Sequence, residues 1–160
     1  MLSGSPQAVI AVTSTDSNWN GGHAVIYAEW AEGQDVCCQK FHLLNTGGNL
    51  SIRTDPIERN TETEFPPRHV FYRSWAVDPI KVIDVQTAVI RFRNKVNNGR
   101  YVYNHHGGLI GRISTGHGVR GVNCADFCVK ILTEARVGNL VGGLFTIPVS
   151  LTGRSLEAVY

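Results

Sequence analysis

The stretch Gly121 to Ala135 (GVNCADFCVKILTEA) restricts this chain more than any other. Cys124, Phe127, Cys128, Ile131, Leu132 and Ala135 recur at the spacing of one helical face, so the segment is predicted to be a helix packed through that face. Asn123 is a good N-cap and Asp126 suits the first turn, while Gly138 is the expected stop. Cys124 then occupies the first helical position. Unpaired backbone N–H groups and the positive end of the helix dipole there favour a thiolate, which predicts a lowered pKa. Cys128 lies one turn further in, mid-stripe, where it acts as a small core residue. The plain alternative makes Cys124 a core cysteine as well, because structural motifs also create such environments.

The remaining composition sets outer bounds. A chain of 160 residues, with 42% apolar and 18% charged residues, suffices for one domain with a real core, either whole or cut from a longer chain. A net charge of +2 and the absence of a basic run give no sign of a nucleic-acid partner. Four cysteines, two adjacent (Cys37, Cys38) and two on one helix face, do not form a disulfide framework, so reduced thiols are expected. The first apolar run, Ala8 to Val12, is too short for a signal peptide or a membrane span. The chain is therefore expected in the cytoplasm at synthesis, and export would need a leaderless route.

In chain order, Gln7–Thr13 looks like a buried strand. His23–Trp30 and Val36–Leu44 form two strands around a hairpin at Glu32-Gly33. Asn45–Asn49 is a turn and Leu50–Arg53 a further strand. Asp55–Arg68, with Pro56, Pro66 and Pro67, is a loop, and His69–Val77 a strand. Ile83–Val96 is helical, with Val85, Ala88, Val89, Phe92 and Val96 as its stripe and Asn97-Asn98-Gly99 as its stop. Tyr101-Val102-Tyr103 leads into a Gly-rich loop from Gly107 to Gly121, and Gly142–Val149 is a last strand or loop.

Thiol chemistry requires a nucleophilic Cys, a His to take its proton and a third group to orient that His. Cys124 is the best nucleophile, since Cys37 and Cys38 lie in a strand with no helix end beside them. Of six histidines (His23, His42, His69, His105, His106, His117), His23 opens a strand after Gly21-Gly22. A hairpin centred on Glu32-Gly33 pairs residues whose numbers sum to 65 and sets His42 opposite His23. A slip of one residue would turn His42 to the other face. Gln39 and Glu29 are weaker candidates for the orienting group.

The tract from the Asp84 helix through Tyr103, Gly107-Gly108 and Asn123-Cys124-Ala125-Asp126-Phe127 resembles the NlpC/P60 cysteine peptidases. Because His23-Ala-Val-Ile-Tyr27 precedes the cysteine, the order is similar to the circularly permuted branch that includes lecithin:retinol acyltransferase-like proteins. The Asn-Cys-x-x-Phe pattern of that branch matches Asn123, Cys124 and Phe127, and a second His on the next strand corresponds to His42. The resemblance covers about two-thirds of the chain, with short motifs and a longer Gly-rich loop than the pattern has. It implies an α+β, papain-like fold in which an antiparallel sheet carries His23 and packs on the Cys124 helix. It implies a Cys124–His23–His42 catalytic set, no cofactor and no metal. No Gln upstream of Cys124 stands out for a papain-type oxyanion hole, so Tyr103, Asn123 and the Cys124 N–H are expected to bind the oxyanion or substrate.

The activity so implied is acyl transfer by a cysteine hydrolase: a peptidase, peptidoglycan amidase or glutamine deamidase. It would suit a bacterial toxin or effector domain with a peptide, protein or peptidoglycan substrate and a dedicated inhibitor or immunity protein. Three other readings stay open. A lipid acyltransferase or phospholipase would be expected to expose an apolar or anchoring segment, and none is long enough. A transpeptidase-like site would use His106 and Cys124, with Ser114-Thr115-Gly116 between them. A binding module would keep the fold without the chemistry, and His105-His106-Gly107-Gly108 would be a polar loop. A metal site from Cys124, Cys128, His105 and His106 lacks a second Cys pair.

Overall fold

The computed structural model describes residues 8–15, 23–47, 49–54, 56–57, 70–104, 107 and 118–138. The strands are β1 (Ala8–Thr15), β2 (Ala24–Glu32), β3 (Asp35–Thr46), β4 (Asn49–Arg53), β5 (Pro56–Ile57) and β6 (Val70–Val77). Helix α1 (Ile80–Asn97) follows, then β7 (Tyr101–Tyr103), β8 (Arg120–Val122) and helix α2 (Cys124–Glu134). This is an α+β arrangement. The main sheet runs β4-β3-β2-β1-β6, antiparallel throughout, with β5 also paired to β3.

Alternation along the strands gives the sheet a heavily apolar face. Ile10, Val12, Ala24, Ile26, Ala28, Phe41 and Leu43 are buried in one cluster with the inner faces of both helices. On α1 that face is Val82, Val85, Ala88, Val89 and Phe92, and on α2 it is Phe127, Cys128, Ile131 and Leu132. Phe92 meets Phe127 edge-on at 5.0 Å and Tyr101 at 4.6 Å between ring centroids, locking α1, α2 and β7 together. Each large side chain buried here contributes about 1.5–3 kcal/mol. The other sheet face holds a smaller buried set, Ala11, Val25 and Tyr27.

Four details depart from the sequence expectations. The stretch expected as a loop from Asp55 holds the short strand β5, where Pro56 and Ile57 pair with Gln39 and Cys38. The β2–β3 hairpin turns on Gly33-Gln34, with Glu32 opposite Asp35 and Ile26 opposite Phe41, so paired numbers sum to 67 rather than 65. Gly33 supplies the positive φ (65°) that a two-residue hairpin needs at its first central position. Helix α1 starts at Ile80, not Ile83, because the Asp78 carboxylate accepts the Ile80 N–H at 2.9 Å and Pro79 supplies a helical φ of −53°. Helix α2 ends at Glu134, before Gly138. Arg136 takes the left-handed conformation (φ 56°), and the Val137 N–H bonds back to the Leu132 carbonyl at 2.9 Å. The expected strand or loop at Gly142–Val149 lies outside the described residues.

Candidate functional site

The start of α2 is built by a reciprocal cap. The Asn123 side-chain oxygen accepts the Asp126 N–H at 2.9 Å, and the Asp126 carboxylate accepts the Asn123 N–H at 3.1 Å. Both residues are buried, at 4% exposure. This satisfies two of the donors that every helix start leaves open, and it fixes where Cys124 begins the helix. Gly107 packs directly on this box. A β-carbon there would strike the Asp126 Oδ2 and stand 2.6 Å from the Asn123 Nδ2, and its φ of 57° already suits only glycine. Asn123, expected to bind oxyanion or substrate, has its side-chain oxygen committed to the helix cap.

The approach to Cys124 is held from the other side by a parallel pair. β7 and β8 align Tyr101 with Arg120 and Tyr103 with Val122, and the Asn104 N–H donates to the Val122 carbonyl at 2.9 Å. Tyr103 therefore stands beside the segment that delivers the cysteine. Its phenol is pushed above its ordinary pKa, first by partial burial and second by the nearness of Cys124. It stays protonated, and so a donor, through the neutral range.

Backbone N–H groups at the start of α2 and at Ala24, the first residue of β2, favour the charged form of the Cys124 thiol. Helix α2 packs against β2, which places the helix start near the strand that His23 leads into. By strand alternation His23 shares a face with Val25, Tyr27 and His42, opposite the helices. The thiol and the imidazole thus approach the rim of the sheet from its two sides. His23 Nε2 and His42 Nδ1 lie 2.8 Å apart, one donating and the other accepting according to tautomer. Their rings meet edge-on at 5.1 Å.

The electrostatics correct one expectation. The Cys124 thiol is raised, not lowered: burial outweighs the nearby backbone N–H groups, and the Asp126 carboxylate adds to the upward shift. His23 is lowered, first by burial and second by the Lys40 ammonium. The two shifts favour a neutral Cys124 thiol and a neutral His23 imidazole. Cys128 is fully buried and raised well above the ordinary value, chiefly by burial. Cys37 is raised by its hydrogen bond to Glu32, at 3.1 Å from sulfur to Oε2.

Of the sequence candidates, His23 and His42 are brought into contact, and Tyr103 is brought near Cys124. Glu29 takes the Cys38 thiol at 3.7 Å. Gln39 donates to the Thr54 carbonyl and accepts from Gln86, each at 2.9 Å. Both thus have partners other than His23. His69, His105, His106, His117 and Ser114-Thr115-Gly116 lie outside the described residues. Among the described residues no group of three or more His, Cys, Asp or Glu side chains is arranged to hold a metal ion. Two contributors escaped the sequence reading. Ala24 acts through its backbone, which has no side-chain signature. Lys40, two residues before His42 on the same face, is legible from alternation alone. The chain matches no family model, no curated protein and no solved structure with which it was compared.

Proposed function

We propose that the protein is a cysteine hydrolase of amide bonds that works through an acyl-enzyme, in a papain-like domain of the circularly permuted NlpC/P60 type. Cys124 is the nucleophile, His23 the base and His42 the group that orients the base. The observation that carries the reading is the 2.8 Å contact of His23 Nε2 with His42 Nδ1, at the mouth of the strand against which the Cys124 helix packs. A pair of histidines so connected leaves the base one nitrogen, Nδ1, for the thiol. For Nδ1 to accept a proton, Nε2 must carry one and donate it to His42.

The raised thiol and lowered imidazole select between two starting states. The pair rests neutral, and the proton moves from Cys124 to His23 as the sulfur attacks the carbonyl. Burial disfavours the free thiolate, so attack and deprotonation are concerted rather than sequential. Tyr103 and N–H groups at the helix start stabilise the oxyanion. The imidazolium then protonates the leaving amine, and water, deprotonated by His23, releases the acyl group and restores the thiol.

The test is intact-mass spectrometry during reaction with p-nitrophenyl acetate, an activated acyl donor. One acetyl group should accumulate on Cys124 and then decay. C124A should take none, and H23A should acetylate at least 100-fold more slowly. Acetylation of Cys37 or Cys38 with Cys124 untouched, or an unchanged rate in H23A, rules the assignment out. An amide panel, including glutamine side chains and peptidoglycan stem peptides, then identifies the leaving amine.

A further inference from the structure

Helix α1 carries a second apolar stripe that the core does not use. Ile80, Ile83, Thr87, Ile90 and Asn94 recur at alternating steps of three and four, on the side opposite Val82, Val85, Val89 and Phe92. Ile80 is 54% exposed, and Ile83 and Ile90 are each 55% exposed. The Thr87 hydroxyl is turned back to the Ile83 carbonyl at 2.9 Å, which leaves its methyl for the outer face. Single exposed isoleucines are ordinary, but three on one stripe of one helix form a patch.

The surroundings of the stripe say what it fits. Helix α1 holds Lys81, Arg91, Arg93 and Lys95 against a single acid, Asp84, which pairs with Lys81 at 3.8 Å while the same ammonium donates to the Ala135 carbonyl at 3.0 Å. Arg91 and Lys95 flank the stripe on one side and Arg93 on the other. Arg91 is 65% exposed and only loosely paired with Glu134, at 3.8 Å. Arg93 and Lys95 lay their stems along the protein, with Arg93 Nη2 donating to the Ile52 carbonyl at 3.4 Å and Lys95 Nζ 5.6 Å from the Tyr101 ring centre. An apolar stripe on a helix of net positive charge matches the chemistry of an anionic bilayer, where the isoleucines enter the acyl boundary and the exposed Arg91 meets lipid phosphate. A second copy fits less well. Three half-exposed isoleucines offer about 300 Å², against the roughly 800 Å² per partner of a stable interface. Two such helices would also bring like charges together.

We propose that the outer face of α1 docks the protein in-plane on membranes rich in anionic phospholipid. No helix among the described residues is long and apolar enough to cross a membrane. The proposal is independent of the acyl-transfer reading, because none of these residues belongs to the Cys124 site.

The experiment is co-sedimentation of the full chain with vesicles of phosphatidylcholine containing phosphatidylserine, beside vesicles of phosphatidylcholine alone, at low and physiological salt. The serine-lipid vesicles should bind at least tenfold more tightly, and salt should weaken that binding. I83S/I90S should lose about tenfold per isoleucine, about 100-fold in all, while I83L/I90L retains binding. The serine variant should keep its melting temperature and its rate of acetylation by p-nitrophenyl acetate, since both side chains lie outside the core. In I90W, tryptophan emission should shift to the blue on adding the anionic vesicles. The proposal is overturned if the native chain does not bind anionic vesicles at low salt, or if I83S/I90S binds them as well as the native chain. It is equally overturned if light scattering shows a dimer that I83S/I90S dissociates, since the stripe then serves a second copy.

Discussion

Gly107→Ala probes the support beneath the candidate nucleophile, and Gly33→Ala is its internal control. Both glycines have positive φ, 57° and 65°. An alanine at either position costs roughly 1 kcal/mol in backbone strain. Nothing lies within 4 Å of a β-carbon at position 33, so the cost should stop there. At position 107 the new methyl meets Asp126 and Asn123, both buried and both already bonded to each other's backbone. One bond of the capping box must open. Loss of a cap costs about 1 kcal/mol, and stranding a buried polar group about 1–3 kcal/mol more. The expected loss is thus about 3–5 kcal/mol for G107A and about 1 for G33A. Urea unfolding followed by far-ultraviolet circular dichroism measures both, with an unchanged slope required for the comparison. In the folded fraction of G107A, Cys124 should also change its alkylation rate, because the cap sets the N–H groups around the sulfur. If G107A costs no more than G33A within about 0.5 kcal/mol, the loop yields freely. Gly107 then does not brace the helix start.

Arg136→Gly should stabilise the protein by up to about 1 kcal/mol in the same urea assay, because arginine occupies a left-handed position that glycine adopts without strain. With the Cys124 thiol raised above its ordinary value, its alkylation by iodoacetamide should still accelerate beyond pH 9, and a plateau below pH 7 would indicate a resting ion pair instead. For His23 the folded value lies below the unfolded 6.5, so its contribution to stability is complete above pH 6.5 and declines as pH falls through that value toward the folded one. In H23A, denaturant midpoints between pH 5 and 7 should vary less than in the native chain. His42→Ala should reduce acetylation of Cys124 by less than His23→Ala does, and adding H42A to H23A should cost little more, because the two act as one unit.

Much of this architecture is legible where one physical signal dominates. The α2 stripe and its cap are readable because Asn123, Asp126 and the i, i+3, i+4 apolar positions all specify the same helix. Strands β2 and β3 are readable from composition and alternation. The start of α1 lies three residues before the expected Ile83, because the apolar stripe legible in the sequence begins at Val85 and carries no sign of the turn before it. The Asp78-Pro79 pair was the better marker. Strand β8 is three residues long with Gly121 at its centre, too short and too plain to show a period, and its pairing with β7 is a long-range event. The left-handed turn at Arg136 just past α2, where a glycine is usual, depends on the closing hydrogen bonds, which set a conformation that arginine does not favour alone.

The His23–His42 contact shows why one part of a site survives an error that would destroy another. The turn is Gly33-Gln34, one residue beyond the expected centre, and moving a hairpin centre by one residue moves every cross-strand partner by two. A shift of two preserves the face, because side chains alternate with a period of two. His42 therefore lies opposite position 25 instead of 23, yet on the same side of the sheet. The diagonal neighbour remains within reach of a long ring, and the two nitrogens meet at 2.8 Å. A slip of half that size would have turned His42 into the helix-facing core. The thiol follows a different logic. Its position at the helix start was a matter of pattern, but the sign of its pKa shift depended on how deeply α2 packs against β2. Local helix-start donors and tertiary burial act on the same sulfur in opposite directions, and here burial is the larger effect. A thiol held neutral in this way reacts when its base and its substrate arrive together, which is why the alkylation profile and the His23→Ala rate bear on the same step.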